Sequence, residues 1–210
     1  MEATESPGPK GPIVYIVDDE EDVRELLCDL FHSVGLKATG FVSAQAFLDT
    51  YQPGLRGCLL LDVRMPGMSG LELKELLADL NFDLPIIFLT GHGDVEMAVD
   101  ALKAGVFDFI EKPFNTEKLI DRVQRAIHKN LDAEQASLDG QEAQGRLRKL
   151  TARERQILEM LVVGEINKVI AAHLDISSKT VEYHRANIMK KMQVSTLAAL
   201  IRISRLETGG

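Results

Sequence analysis

Two hydrophobic rhythms run along the chain up to about residue 130, and only one continues beyond it. Short apolar runs at 13–17 (IVYIV), 58–62 (CLLLD) and 86–90 (IIFLT) read as buried strands. Weaker runs at about 37–41 (KATGF) and at 107–110 (FDFI) read the same way. Between them the apolar residues step at helical spacing. Residues 21–33 place Val23, Leu26, Leu27, Leu30 and Phe31 on one stripe, and 70–80 do so with Leu71, Leu73, Leu76, Leu77 and Leu80. Residues 94–104 and 115–130 repeat the pattern, the latter with Leu119, Ile120, Val123, Ala126 and Ile127. Strands that are apolar throughout, alternating with amphipathic helices, predict a parallel sheet covered on both faces. Five such units in about 115 residues predict an α/β flavodoxin-like, doubly wound, five-stranded parallel sheet, with its site at the carboxyl ends of the strands.

The rear of the chain reads as purely helical. Residues 131–145 (LDAEQASLDGQEAQG) are polar and read as a linker, or as a frayed extension of the preceding helix. Gly140 and Gly145 argue against a long helix there, although Leu131 and Leu138 keep a heptad step that a short dimerising helix would use. Thr151 with Glu154 makes a capping box opening ARERQILEMLVV, which Gly164 ends. A second helix is predicted at about 166–174, followed by a turn at Asp175-Ile176. Ser177 or Ser178 opens a third through about Met192, and Ser195 opens a fourth through about Leu206. Ile170, Leu174, Ile176, Val181, Ile188 and Met192 fit a small core, which leaves Lys179, Tyr183, Arg185 and Asn187 for other faces. Two helices joined by a tight turn, the second basic, suggest an all-α helix-turn-helix unit. A four-helix protein-interaction domain is the rival reading of the same pattern.

Charge separates the same two parts. Residues 1–130 carry 12 basic and 22 acidic side chains, a net −10. Residues 131–144 carry four acids and no base, and residues 145–210 carry 12 bases and 6 acids, a net +6. An acidic front joined to a basic back implies different partners, with nucleic acid the first candidate for the back. No run approaches the ~20 apolar residues needed to span a bilayer. The leading MEATESPGPKG lacks the basic and apolar regions of a secretion signal and reads as a disordered tail, 1–11. Cys28 and Cys58 fit no metal spacing and read as reduced core cysteines of a cytoplasmic protein.

The chemistry gathers where strands stop. The first ends in Asp18 and Asp19, the third in Asp62, the fourth in Thr90, and the fifth is followed by Lys112-Pro113. Crowded carboxylates raise one another's pKa unless a cation joins them. Hard oxygen ligands of this kind suit Mg²⁺. One carboxylate then serves as a nucleophile toward phosphorus, with an ammonium and a hydroxyl to meet the phosphoryl oxygens. Asp62, alone at the tip of a central strand and followed by the open loop VRMPGMSG, is the best nucleophile.

The segments VDDE, LLLDVRMPGMSG, FLTGHGD and FDFIEKPF resemble the receiver domain of two-component response regulators, over about residues 12–128. The resemblance implies that Asp62 accepts a phosphoryl group from a sensor histidine kinase. It implies Mg²⁺ on Asp19 and Asp62 with the Arg64 backbone carbonyl, Asp18 helping through water. It implies that Lys112 pairs with the phosphoryl group, that the Lys112-Pro113 peptide is cis, and that Thr90 and Phe109 form a switch pair.

LTARERQILEMLVVGEINKVIAAHLDISSKTVEYHRANIMKKMQV resembles the LuxR-type helix-turn-helix, over about residues 147–208, with 129–146 as linker. Lys168, Lys179, Thr180, Lys190 and Lys191 are then candidate phosphate contacts, which position without reading sequence. Glu182, Tyr183, Arg185 and Ala186, with Asn187, lie on the stretch facing the major groove. His184 reads as a packing or phosphate-contact residue and Val181 as core. Many relatives carry Lys at the position of Glu182, so Glu there implies weaker nonspecific attraction to DNA.

The whole chain thus resembles the FixJ/NarL class of response regulators. The expectation is a phosphorylation-dependent transcription regulator. It would bind promoter DNA and dimerise when phosphorylated through the stretch 94–128, with RNA polymerase a candidate partner and no membrane. An aspartyl-phosphate hydrolase and a phosphorylation-independent DNA-binding regulator are the alternatives. Hydrolases of that kind usually carry a second Asp two residues after the nucleophile, and here Arg64 stands there.

Overall fold

The computed structural model describes residues 11–91 and 105–205; the helical pattern read at 94–104 and the tail 1–10 lie outside them. The chain divides into two compact units, 1–133 and 134–210.

In the first unit, strands β1 (Ile13–Val17), β2 (Lys37–Phe41), β3 (Gly57–Asp62), β4 (Ile86–Thr90) and β5 (Asp108–Glu111) form one sheet in the order β2-β1-β3-β4-β5. Every pairing is parallel. Helices α1 (Glu21–Ser33), α2 (Ala44–Thr50), α3 (Gly70–Asp79) and the start of α4 (Thr116–Leu147) cover it. Strand parity divides the core in two. Tyr15, Val17, Leu59, Leu61 and Phe88 point to one face, against Ala44, Phe47, Leu73 and Leu77. Val14, Ile16, Leu60, Ile87 and Leu89 point to the other, against Leu27, Phe31, Leu119 and Val123. Both faces are buried, so these strands are apolar throughout instead of alternating. Each fully buried leucine or phenylalanine contributes roughly 1.5–3 kcal/mol.

One feature was not in the sequence reading, and another goes further than the frayed extension it allowed. Helix α2 is only seven residues long, opened by Ser43 and buried through Ala44 and Phe47. Helix α4 continues through the segment read as a linker, Gly140 and Gly145 included. Those glycines cost about 1 kcal/mol each in a helix. The helix is held by the Arg146–Glu142 pair at 2.7 Å and by burial of Ala143 and Leu147.

The second unit carries α5 (Ala152–Val162), α6 (Asn167–His173), α7 (Ser178–Met192) and α8 (Leu197–Arg205). Its core joins Leu147, Leu150, Ile157, Leu158, Leu161, Ile170, Val181, Ile188, Met192 and Leu200. The Thr151–Glu154 capping box forms as expected, and Gly164 follows α5 with φ +91°. Ser177 caps α7. At α8 the Thr196 hydroxyl, not that of Ser195, accepts from the Ala199 N–H.

Candidate functional site

The site stands at the carboxyl ends of β1, β3, β4 and β5. The register makes this unavoidable: Val17 pairs with Leu61, Asp62 with Leu89, and Thr90 with Glu111. The polar residues that end these strands therefore share one edge of the sheet.

Asp18 is fully buried and Asp62 is 7% exposed. The Lys112 ammonium donates to both, at 2.8 Å to Asp18 Oδ2 and 2.7 Å to Asp62 Oδ2, and lies 3.5 Å from Glu20 Oε1. The Glu20 N–H donates to Asp18 Oδ1, and the Arg64 N–H donates to Asp62 Oδ1, each at 3.0 Å. Burial pushes the Asp18 carboxyl above the ordinary range; Lys112 and the Glu20 N–H work against that, and the charge of Asp62 adds to it. Burial would lower the Lys112 pKa, but its bonds to Asp18 and Asp62 outweigh this and hold it above the usual lysine value.

Glycine makes the approach to Asp62 feasible. A Cβ on Gly70 would lie 2.2 Å from the Asp62 carbonyl oxygen. Gly70 opens α3 behind the Ser69–Glu72 capping box, and its N–H donates to the Val63 carbonyl at 3.0 Å. The loop after β3 is thus pulled back against its own strand end.

Thr90 is buried, and its hydroxyl donates to the Ile110 carbonyl at 3.4 Å. The Lys112 N–H donates to the Thr90 carbonyl at 2.7 Å, and the Lys112-Pro113 peptide is cis. Phe109, half-buried, packs at the edge of the same core as Phe88.

Asp18, Glu20 and Asp62 offer carboxylate oxygens within 4.8 Å of one another. Three hard oxygen donors at that spacing suit a hard divalent cation. The grouping brings in Glu20, which the sequence reading did not assign, and does not include Asp19. Arg24 was also missed. Its Nη1 donates to the carbonyls of Asp18 and Asp19, each at 2.9 Å, and so fixes the main chain of the acidic loop. Its place on the first turn of α1, just after the acids, was the available signal.

In the second unit Lys168, Lys179, Glu182, Tyr183, Ala186 and Lys190 are exposed, and Thr180, His184, Arg185, Asn187 and Lys191 are half-buried. Tyr183 is 65% exposed, and its ring meets that of His184 edge-on. Arg185 donates to Asn167 Oδ1 on α6, which ties the two helices of the helix-turn-helix together. Val181 is buried. Lys191 is engaged elsewhere: its ammonium lies 2.6 Å from the buried Glu154 carboxylate. Burial would raise the Glu154 pKa, but Lys191 and the Thr151 cap outweigh it and hold the carboxyl below its ordinary value.

The pattern described as "Response regulator receiver domain" matches residues 14–124. That described as "Bacterial regulatory proteins, luxR family" matches residues 148–204. The chain belongs to the response-regulator family. As such it is a phosphorylation-dependent regulator of transcription, with a receiver joined to a LuxR-family DNA-binding domain. It is 47% identical to the transcriptional regulatory protein FixJ of Rhizobium meliloti, covering 91% of this chain and 94% of that one. It is 44% identical to the response regulator protein TmoT of Ectopseudomonas mendocina, covering 91% and 87%. Among solved structures, the response regulator StyR matches at a TM-score of 0.80 and 41% identity, covering 93% of this chain and 98% of that one. Full-length FixJ from B. japonicum matches at 0.60 and 42%, covering 95% and 98%. This response regulator has, among its described residues, no helix long and apolar enough to cross a membrane.

Proposed function

We propose that Asp62 is the phosphoacceptor and that the bridge from Lys112 to Asp18 and Asp62 is the observation that carries this reading. An ammonium at 2.7 Å from one Asp62 oxygen and a backbone N–H at 3.0 Å from the other hold the carboxylate in one orientation. Asp62 is buried, with 7% of its surface exposed. An Asp62 oxygen attacks the phosphorus of a phosphohistidine on a sensor histidine kinase. The new P–O bond forms as the P–N bond breaks, and the electron pair leaves with the imidazole nitrogen, which takes up a proton. Lys112 then meets the oxygens of the aspartyl phosphate.

The hard oxygen donors gathered here suit Mg²⁺: Asp19 and Asp62 with the Arg64 carbonyl would hold it, Asp18 helping through water, and it would neutralise charge on the transferring group. Glu20, within reach of the cluster, is a further candidate donor.

Thr90 leaves the Ile110 carbonyl and donates to a phosphoryl oxygen, and Phe109 turns into the space given up. That pair converts a local charge change into a shift between two receiver conformations. The reading extends to the rest of the chain. The phosphorylated receiver dimerises through about 94–128. Lys168, Lys179, Thr180 and Lys190 meet DNA phosphates, while Glu182, Tyr183, Arg185, Ala186 and Asn187 face base edges, and the pair reads two half-sites. RNA polymerase is the partner at the promoter, and the cytoplasm the place of action. With Arg64 two positions after Asp62, release of the phosphoryl group is slow.

Intact-mass spectrometry after incubation with acetyl phosphate and Mg²⁺ tests this. The expected result is one added phosphoryl group on the wild type and none on Asp62→Asn. Equal labelling of both would overturn it.

A further inference from the structure

Strand β5 is an edge strand, with β4 on one side and no strand on the other among the described residues. Its outward-facing peptide groups at Phe109 are nevertheless taken. The Phe109 N–H donates to Asp108 Oδ1 at 2.8 Å. The Phe109 carbonyl accepts from Arg122 Nη1 at 2.6 Å, and the same nitrogen lies 2.8 Å from Asp108 Oδ1. One guanidinium and one carboxylate thus close both groups that a sixth strand would have paired. Sheet formation does not require this, because edge groups are routinely left to water. The pair is partly buried, with Arg122 33% and Asp108 26% exposed.

On the inner side, the Lys112 N–H holds the Thr90 carbonyl at 2.7 Å and Thr90 Oγ1 holds the Ile110 carbonyl at 3.4 Å. The main chain around Phe109 is therefore tied from both sides, and its ring is the part left to turn.

We propose that Arg122 is a positioning residue of the switch. It fixes the Phe109 main chain as a pivot, so that movement of Thr90 passes into rotation of the ring instead of being absorbed by a shifting edge strand. The inference rests on the assignment of Asp62, Thr90 and Phe109 given above. Without Arg122, phosphorylation at Asp62 still proceeds, but its effect on the DNA-binding unit shrinks, because a looser pivot weakens the coupling between the two sites.

The test uses the full chain as wild type, Arg122→Met, Arg122→Lys and Asp108→Asn. Two quantities are read: the extent of phosphorylation by acetyl phosphate, from intact mass, and the ratio of DNA dissociation constants without and with phosphorylation. The probe is a duplex selected from a random library by the phosphorylated wild type. Arg122→Met is expected to match wild-type phosphorylation while its affinity ratio falls by roughly fivefold or more. Arg122→Lys, which keeps the cation, regains part of the ratio. A purely structural role would weaken both affinities alike and leave the ratio standing. A wild-type ratio in Arg122→Met overturns the proposal. If Arg122→Met does not fold, a wild-type ratio in Asp108→Asn overturns it. A wild type that takes up no phosphoryl group overturns the underlying reading, and this inference with it.

Discussion

Lys112 Nζ lies 2.7 Å from Asp62 Oδ2 across the carboxyl edge of the sheet, although 50 residues separate the two in sequence. The same ammonium is 2.8 Å from the buried Asp18. Removing it leaves two carboxylates facing one another. Lys112→Met is therefore expected to lose about 1–3 kcal/mol at neutral pH. The sign of the pH dependence follows from Asp18. Its folded pKa is raised, so the folded state binds a proton more tightly than the unfolded chain, and ionisation costs stability as pH rises above the ordinary carboxyl range. The deficit of Lys112→Met should shrink as pH falls and Asp18 takes up a proton. Urea denaturation at a series of pH values checks this; a deficit unchanged with pH would contradict it. For Lys112 itself the folded pKa is also raised, so its contribution is complete below its ordinary value of 10.5 and is lost as pH climbs into the strongly alkaline range.

Asp62→Asn removes a like charge from beside Asp18 and keeps an oxygen for Lys112. Its stability at neutral pH should equal that of the wild type or exceed it by up to about 1 kcal/mol. Thermal melts decide, and a clear loss would show that Asp62 anchors the fold more than it strains it.

Gly70→Ala places a Cβ where only 2.2 Å separates it from the Asp62 carbonyl oxygen. Main chain must move on one side or the other. A loss of about 1–3 kcal/mol is expected, as for other overpacked sites. Phosphorylation of Asp62 should slow as well, measured by the time course of mass gain from acetyl phosphate. A variant as stable and as fast as the wild type would mean that the loop relaxes freely.

Lys190 and Lys191 are neighbours with different work. Lys191→Ala is expected to destabilise the second unit, because the 3% exposed Glu154 loses its cation. Glu154 is held below its ordinary pKa, so its contribution is present above that value and lost as pH falls through the folded pKa. Lys190→Ala should leave stability alone and reduce the salt dependence of DNA binding by about one phosphate contact. Matched melts and salt titrations separate the two, and the opposite assignment would place Lys191 on DNA. Thr151→Ala in the same cap should cost about 1 kcal/mol.

Much of this was legible because parallel strands have a fixed polarity. Apolar runs ending in Asp18, Asp62 and Thr90 had to bring those residues to one edge once the topology was parallel. What stayed hidden falls into two kinds. Helix α2 is too short for periodicity to register, and α4 runs through Gly140 and Gly145 because tertiary burial of Ala143 and Leu147 outweighs local propensity. The other kind is pairing at a distance. Arg122 on Phe109 and Lys191 on Glu154 leave no trace in spacing, since any exposed helix carries such charges.

The central claim is that a phosphoryl group on Asp62 changes how the second unit binds DNA. The most direct measurement is a DNA-binding titration of the wild type and of Asp62→Asn, with and without acetyl phosphate and Mg²⁺, on a duplex selected by the phosphorylated wild type. The account predicts tighter binding only for the wild type treated with phosphodonor. Equal affinity in all four conditions would contradict it.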